Sequence, residues 1–447
     1  MKKTSTSIIL FFISLSIFSQ NQRFISHEEA LEDIDSLFYT ISEIHPDMFG
    51  ICNVESLMGK IDSIKHNITD SIEVAKLYRE LAPAVAMLGD GHTDIYCPID
   101  EFYTSKLPRL PLAIDVNVQD MKLTVTGSVD NCIPRGAEIV SINGITSESM
   151  LKEMAKYVSG ERNSFKLSKI RIANFEPFFH LLYISDKYDI EFRQHGSKDI
   201  AKKTVHPASR ELLRNSNYCN NDTKGSKGSD YSYQILWDKN AAVLNFKACN
   251  DSEKMKTFAD SMITDLNSQS MKNLIIDIRD NPGGEAAVCD ELLRHFAPKP
   301  FRQFDKIFFR LTPTAIRFRP DLNFSPGLNW IVMNDADLIQ PTVGNTHFNG
   351  KVYILTSNFT YSAAASLAWT CKQNNFATII GEETGGMNVS MGAGINYTLP
   401  HSKLVCAISL MKFWECGASE KDVRGTTPDY HVKQESALEK AFRLTRK

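Results

Sequence analysis

The pattern of apolar and polar positions divides the chain into four sections, and the first of them is predicted to be helical. Ser26 and Glu29 form a possible capping box at the start of its first helix, and Pro46 ends that helix. Apolar residues then recur at helical spacing: Ala30, Ile34, Leu37, Ile41 and Ile44. Further helices are predicted at 54–64 and 72–88, the second kinked or broken near Pro83. Residues 21–100 are thus expected to be a helical bundle that presents the polar loop 89–93.

The second section, residues 101–205, shows strand-like alternation around 112–125. A strand is predicted at 138–142, then a tight turn at Asn143-Gly144 and a helix. The sequence from Gly136 to Gly144 resembles a PDZ-domain pattern, although no Gly-Leu-Gly-Phe type carboxylate-binding loop precedes it. A degenerate PDZ-like domain and a purely structural sandwich both remain open for this section.

Residues 206–232 are rich in Asn, Ser, Gly and Lys and are predicted to be a linker or exposed loop. Beyond them, residues 233–447 alternate between apolar strands and helices, which predicts an α/β domain. Strands are predicted at 241–246, 274–278, 352–356 and 377–380, with helices at 255–267 and 285–296 and another that opens at Ser362. The fold class predicted for the whole chain is multidomain α/β.

Composition narrows the function classes. The chain has 447 residues, 43% of them hydrophobic and 23% charged, with a formal net charge of −3. These values are ordinary for soluble globular proteins, and no basic stripe indicates nucleic-acid binding. We therefore expect no nucleic acid as a partner. No phosphate-binding glycine loop is present either, and we expect no cofactor. The sequence indicates no particular oligomeric state.

The N-terminus is typical of a secretory signal. Lys2 and Lys3 precede an apolar run at 8–18 that is short for a membrane span. We predict a signal peptide at 1–20, cleaved after Ser19 or Gln20, and a periplasmic or extracellular protein without stable membrane insertion. An uncleaved signal anchor is the alternative. The nine cysteines lack metal-type spacing, and either disulfides or buried free thiols would suit this location.

Ser362 lies where a predicted buried strand gives way to a helix. The first N–H groups of a helix have no intrahelical partner, and with the helix dipole they favour an oxyanion. Ser362 is therefore a candidate nucleophile, with simple helix capping as the alternative. The glycines that follow Asn281-Pro282 have two similar interpretations. They form either a tight connection or a site where backbone N–H groups approach a substrate oxygen.

Four ordered motifs resemble the tail-specific, or C-terminal processing, serine proteases: LIIDIRDNPGG (274–284), TSNFTYSAAAS (356–366), IIGEETGG (379–386) and RGTTPDYHV (424–432). The resemblance covers roughly residues 233–432. It implies a crotonase/ClpP-like α/β catalytic domain that hydrolyses peptide bonds through Ser362. The expected oxyanion donors are the backbone N–H groups of Ala363 and of Gly283 or Gly284.

The Ser-Lys members of that family carry a lysine base, and the alignment places Met387 there. Methionine accepts no proton, so Ser362 needs another base, and His92 is the candidate. The GDGHT loop around it resembles the tricorn-like and retinoid-binding-protein-like branch, which implies a Ser-His site. That branch has a second serine before the histidine, where this chain has Gly91, and Thr93 could substitute for it.

The residue that orients His92 is expected in the C-terminal segment, as Asp422 or Glu420, although either could be a solvated surface charge. His92 could itself be a loop or capping residue. A metal site at Asp90-x-His92-x-Asp94 lacks a fourth ligand, and we predict no metal. Asp429 is expected to make structural hydrogen bonds after Pro428.

The predicted function is an exported serine peptidase that acts on peptides or proteins through an acyl-enzyme. The alternatives are a catalytically weak or inactive relative that binds peptides or small apolar ligands, and an esterase at the same site.

Overall fold

The computed structural model describes residues 23–48, 52–102, 108–215 and 229–446. The predicted signal peptide at 1–20 and residues 216–228 of the predicted linker lie outside these ranges. Within the described ranges, no helix is both long enough and apolar enough to cross a bilayer.

The N-terminal section consists of helices that pack through their apolar faces. The predicted capping box is present, with the Ser26 hydroxyl accepting from Glu29 N and the Glu29 carboxylate accepting from Ser26 N. Pro83 lies inside the third helix without ending it. The elements are β1 (Phe24–Ile25), α1 (His27–Ile44), α2 (Val54–Asn67), β2 (Ile72–Glu73), α3 (Val74–Ala86), β3 (Asp94–Ile95) and α4 (Ile99–Phe102).

The middle section is an antiparallel sheet with helices inserted between two of its strands. Its elements are β4 (Leu112–Asn117), β5 (Lys122–Ser128), β6 (Glu138–Ile142), β7 (Ile145–Thr146), α5 (Ser147–Met154), α6 (Asn163–Lys169), α7 (Phe175–Tyr183), β8 (Tyr188–Arg193), β9 (Ile200–Val205) and α8 (Arg210–Asn215). The strand order is β4-β5-β6-β8-β9, with β7 paired to β6 across the predicted turn. Asn143 and Gly144 both have positive φ, 49° and 80°, as the tight hairpin turn requires.

The third section contains a six-stranded sheet, parallel except for its first strand, in the order β10-β11-β12-β15-β16-β21. The elements of this section are β10 (Tyr231–Leu236), β11 (Ala241–Phe246), α9 (Ser252–Ser268), β12 (Asn273–Asp277), α10 (Ala286–Arg294), β13 (Phe304–Leu311), α11 (Pro313–Phe318), β14 (Gly327–Val332), β15 (Lys351–Thr356), α12 (Ala363–Asn374), β16 (Thr378–Gly381), β17 (Val389–Gly392), β18 (Ile395–Thr398), β19 (Val405–Ile408), β20 (Met411–Glu415), β21 (Tyr430–His431) and α13 (Gln434–Thr445). The predicted strands and helices of this section are found within a few residues of their expected bounds.

Buried apolar side chains cover both faces of the six-stranded sheet. Helices α9, α10 and α12 pack on one face, and α13 packs on the other through Ala437 and Ala441. The sheet is buried on both sides because parallel strands need helices on each face. The carboxyl ends of β12 and β15 therefore meet at one edge, where the turns at 278–284 and 356–362 lie close together.

Two smaller sheets join the N-terminal section to the third section. One has the order β14-β13-β20-β17, and the other has the order β18-β19-β3. In the second sheet Ile95 pairs with Cys406 and Asp94 with Ala407, so β3 is fixed to the C-terminal half of the chain. This pairing brings the loop that carries His92 to the parallel sheet.

Candidate active site

Ser362 lies in a strained turn between β15 and α12. Its φ and ψ are 50° and −131°, and its side chain makes no capping hydrogen bond to the helix. A positive φ in a residue other than glycine is uncommon and is concentrated at functional sites. The capping alternative for Ser362 is not seen, and its partly exposed side chain makes no hydrogen bond to a described residue.

The backbone donors around this turn differ in availability. The Gly283 N–H donates to Asn281 Oδ1 at 2.8 Å, so it is already occupied. No described residue accepts a hydrogen bond from the N–H of Gly284 or of Ala363. Gly283 instead packs closely on the nucleophile turn, because a Cβ atom there would lie 2.6 Å from Ser362 Cβ. Of the three predicted oxyanion donors, Gly284 and Ala363 remain candidates.

Asp90 holds the loop that carries His92. Its buried carboxylate accepts hydrogen bonds from His92 N (2.9 Å), Thr93 Oγ1 (2.6 Å) and Ser409 Oγ (2.6 Å), and it lies 3.2 Å from His45 Nε2. Burial acts to raise the pKa of Asp90, but the hydrogen bond and the electrostatic interaction with His45 lower it well below its usual range. Asp90 is therefore ionised and fixes the backbone beside His92.

The ring of His92 contacts the residue next to the predicted nucleophile. Tyr361 Oη lies 3.0 Å from His92 Nδ1, and the two ring centroids are 4.6 Å apart. Tyr361 also donates to Glu161 Oε1 at 2.9 Å and stacks on Phe165 with a centroid distance of 4.0 Å. Within the described ranges no hydrogen bond joins His92 to Ser362 itself. The loop that carries His92 and the turn that carries Ser362 therefore come together, and Tyr361 makes the contact between them.

Burial dominates the electrostatics of this cluster. It lowers the pKa of His92, while the Asp90 charge acts to raise that pKa and Lys169 lowers it further. Burial and the charge of Asp90 raise the pKa of Glu161 to about 7. Burial also raises the pKa of Tyr361 well above its usual value. His92 is thus mainly neutral near pH 7, as a general base must be.

Neither predicted orienting acid contacts His92. Asp422 accepts from the backbone N and the hydroxyl of Ser419, both at 2.8 Å, on the protein surface. Glu420 accepts from Trp414 Nε1 at 2.8 Å, and its side chain is 63% exposed. The alternative of solvated surface charges fits both residues, and the acids close to His92 are Asp90 and Glu161.

Gly91 stands where the tricorn-like branch has a serine, and the structure gives a physical reason. A Cβ atom at position 91 would lie 2.8 Å from the Phe165 ring and 3.0 Å from Glu161 Oε2, and it would also collide with the Tyr361 hydroxyl. Thr93 does not replace that serine beside the ring, because its hydroxyl donates to Asp90 and accepts from Ser409 N.

Asp429 and Met387, two other positions identified from the sequence, make structural contacts. Asp429 accepts from Ile379 N at 2.8 Å and from Lys372 Nζ at 2.9 Å, so its predicted structural role is confirmed. Met387 forms an isolated bridge with Gly425 and supplies no proton acceptor.

Asp90, His92 and Glu161 could offer three ligand atoms to a metal, all within 4.8 Å of one another. The surrounding contacts favour a hydrogen-bond network instead, because Asp90 already has four partners and His92 Nδ1 has Tyr361. The third residue of the sequence pattern, Asp94, pairs with Lys169 at 2.7 Å.

The sequence analysis missed three acids near the site. Asp90 could have been found from its position in the GDGHT loop, but Glu161 has no local motif. Glu415, at the end of β20, accepts a hydrogen bond at its Oε1 from Ser366, which lies one turn along α12 from Ser362. Its Oε2 is buried without a partner among the described residues, and burial raises the pKa of Glu415 to about 8.

Comparisons with known proteins agree with this architecture. The family model described as Peptidase family S41 matches residues 240–432. The crystal structure of mature CPAF is 13% identical, with a TM-score of 0.67, and the match covers 94% of this chain and 95% of that one. The complex of mature CPAF with lactacystin is 14% identical, with a TM-score of 0.67 and coverages of 94% and 96%. A CPAF mutant is 14% identical, with a TM-score of 0.64 and coverages of 93% and 95%.

The structural similarity extends over almost the whole chain and shows a shared mixed α/β multidomain fold. The family match includes the turn at 278–284, Ser362 and the C-terminal motif at 424–432. Residues 240–432 of the chain therefore form a Peptidase family S41 domain.

Proposed function

We propose that the protein is an exported peptidase in which Ser362 is the nucleophile and His92 the general base. The observation that carries this proposal is the contact between His92 and Tyr361, the residue directly before Ser362, at 3.0 Å. Catalytic hydrogen bonds are often long in ligand-free structures and tighten when the substrate binds. In this proposal the Tyr361–Ser362 turn or the His92 ring moves on substrate binding, so that Ser362 Oγ reaches His92 Nε2.

The mechanism follows from these positions. Ser362 attacks the scissile carbonyl while His92 takes the hydroxyl proton, and the N–H groups of Gly284 and Ala363 stabilise the oxyanion. His92 then gives its proton to the leaving amine, which leaves an acyl-enzyme on Ser362. Water, activated by the same histidine, releases the second product and restores the serine.

Labelling with a fluorophosphonate probe tests this assignment. Wild-type protein should be labelled, Ser362→Ala should not, and Ser232→Ala, which changes an exposed serine, should label like wild type. Labelling of Ser362→Ala at the wild-type level would contradict the nucleophile assignment. Absence of wild-type labelling would favour the binding protein that was the alternative.

Measurements of turnover then test whether His92 is the base and whether the substrate is a peptide or an ester. His92→Ala should lower the peptidase rate by a factor on the order of 10² to 10⁴, while His206→Ala, which changes an exposed histidine, should not change it. A full peptidase rate in His92→Ala overturns the base assignment. Hydrolysis of esters without hydrolysis of peptides would favour the esterase alternative.

Export rests on the sequence alone: Lys2 and Lys3 followed by the apolar run at 8–18. Cell fractionation and N-terminal sequencing of the mature protein test it. A mature protein that begins near residue 20 in the periplasm or medium supports export, and retention in the cytoplasm with an intact N-terminus contradicts it.

A further inference from the structure

The middle section contributes an acid to the candidate active site. Glu161 lies just before α6, and its Oε1 accepts from Tyr361 Oη at 2.9 Å. Glu161 Oε2 is buried, and no described residue donates to it. Phe165, on α6, stacks on Tyr361 with an interplanar angle of 12°, which holds the phenol between Glu161 and His92.

Proton counting sets the direction of these hydrogen bonds. The Tyr361 hydroxyl has one proton and two partners, the Glu161 carboxylate and His92 Nδ1. An ionised carboxylate can only accept hydrogen bonds, so Tyr361 Oη–H donates its hydrogen bond to Glu161. The Tyr361 oxygen must then accept from His92 Nδ1–H, and this leaves Nε2 of the neutral ring without a proton.

We propose that Glu161 is a positioning residue that acts through Tyr361 and holds His92 in the tautomer whose Nε2 accepts the Ser362 proton. This inference rests on the proposed function. It assigns to Glu161 and Tyr361 the role that a buried carboxylate has when it bonds directly to a catalytic histidine. Tyr361 extends the link by one hydroxyl.

Asp90 is the competing acid, and its geometry excludes it from this role. Its Oδ1 is 3.9 Å from His92 Nδ1, too far for a hydrogen bond, and that oxygen accepts from the His92 backbone instead. Asp90 therefore fixes the loop, whereas Tyr361 and Glu161 fix the ring.

The ionisation of Glu161 should then control the tautomer. Protonated Glu161 can donate to Tyr361 Oη, which frees the Tyr361 proton for His92 Nδ1 and moves the ring proton to Nε2. In that state His92 cannot act as a base. The charged and titratable groups around Glu161 are Asp90, His92, Tyr361, Arg162 and Lys166. Because burial raises the pKa of Glu161 to about 7, this switch falls in the range where activity is measured.

Nitrogen NMR of ¹⁵N-histidine-labelled protein reads the tautomer directly. At pH 8.5 the wild-type His92 ring, assigned by comparison with His92→Gln, should carry its proton on Nδ1. Tyr361→Phe keeps the stack on Phe165 and removes the hydroxyl, so the proton should move largely to Nε2. The matched control is Tyr233→Phe, which removes another Tyr-to-carboxylate hydrogen bond, 2.7 Å long, to Asp265, and should leave the His92 signals unchanged.

Kinetics give a second readout. Tyr361→Phe should lower kcat on the order of 10- to 100-fold with little change in KM, as expected for the loss of one hydrogen bond to a charged network. Glu161→Gln still offers an oxygen to Tyr361 but does not titrate, so the acidic limb of its kcat/KM profile should move to lower pH. This second variant decides the matter if Tyr361→Phe fails to fold.

An Nε2–H tautomer in the wild type, or unchanged tautomer and kcat in Tyr361→Phe, overturns the proposal. An acidic limb that stays in place in Glu161→Gln overturns it as well. The NMR measurement requires no turnover, so a wrong nucleophile assignment and a wrong assignment of Glu161 are distinguished.

Discussion

Gly283 and Ser362 are in such close contact that Gly283 has no room for a side chain. A Cβ atom on Gly283 would lie 2.6 Å from Ser362 Cβ and 2.9 Å from Ala363 N. The glycine that follows β12 therefore fixes the position of the strained serine turn after β15.

Gly283→Ala is expected to remove most activity. Its φ of 97° already disfavours alanine, and the methyl group would also displace Ser362, for which we expect a loss in kcat of about 100-fold or more. The control is Gly136→Ala, where φ is 82° and no atom lies within 4 Å of the added Cβ. Both variants should lose about 1 kcal/mol from the backbone conformation. Equal activities in the two variants would contradict the contact.

Lys169→Met should shift the acidic limb of the kcat/KM profile to higher pH. Lys169 helps to lower the pKa of His92, and it also neutralises Asp94 at 2.7 Å. The loss of this positive charge makes both His92 and Glu161 easier to protonate, so the acidic limb moves to higher pH whichever of the two groups sets it. Lys122→Met, which breaks an exposed pair with Glu138, should leave the limb in place. A shift to lower pH in Lys169→Met would be inconsistent with His92 as the base.

Asp90→Asn should destabilise the fold by about 3 kcal/mol at pH 6, because it leaves His45 and the His92 loop without a buried charge. The folded pKa of Asp90 lies below its unfolded value near 3.9. Its stabilising contribution is therefore present above pH 4 and is lost as the pH falls below it. Urea unfolding at pH 6 and pH 3 should show a smaller difference from wild type at pH 3. The control is Asp62→Asn, which changes an exposed carboxylate on α2.

Glu415→Gln should gain stability relative to wild type as the pH rises, whereas Asp90→Asn should lose it. The folded pKa of about 8 lies above the ordinary glutamate value of 4.5, so between these pH values the unfolded chain releases a proton that the folded chain keeps. Wild-type stability therefore falls as the pH rises, by up to about 1.4 kcal/mol per pH unit. The variant does not titrate, and its stability relative to wild type should increase from pH 5 to pH 8 in urea unfolding. Glu285→Gln, which changes an exposed acid of the same section, should show no such trend.

Much of the fold could be predicted from the sequence because its determinants are local. The strand at Ala241–Phe246 and the strand at Glu138–Ile142 were predicted with the bounds that the structure has. Continuous apolar runs, turn dipeptides and the Ser26 capping box each act within a few residues. The predicted multidomain α/β class and the peptidase family were confirmed for the same reason, since the motifs are contiguous.

The centre of the site could be predicted only in part, because its contacts are long-range. Ser362 and His92 were identified from their loops, but the Glu161–Tyr361 hydrogen bond links positions 200 residues apart, and no periodicity encodes it. Gly283 N was expected to face the substrate, yet Asn281 Oδ1 takes that donor. Asp422 and Glu420 were chosen by their offset from the C-terminal motif, which cannot reveal that Ser419 and Trp414 are their partners.

The distance along the chain between His92 and Tyr361, 269 residues, has a consequence for biosynthesis. A ribosome makes the imidazole loop long before it makes the alcohol that the loop is proposed to activate. A nascent polypeptide therefore has no complete catalytic pair until nearly all of it has been translated. On the proposed mechanism, the growing chain cannot cleave its neighbours before residue 362 has been made.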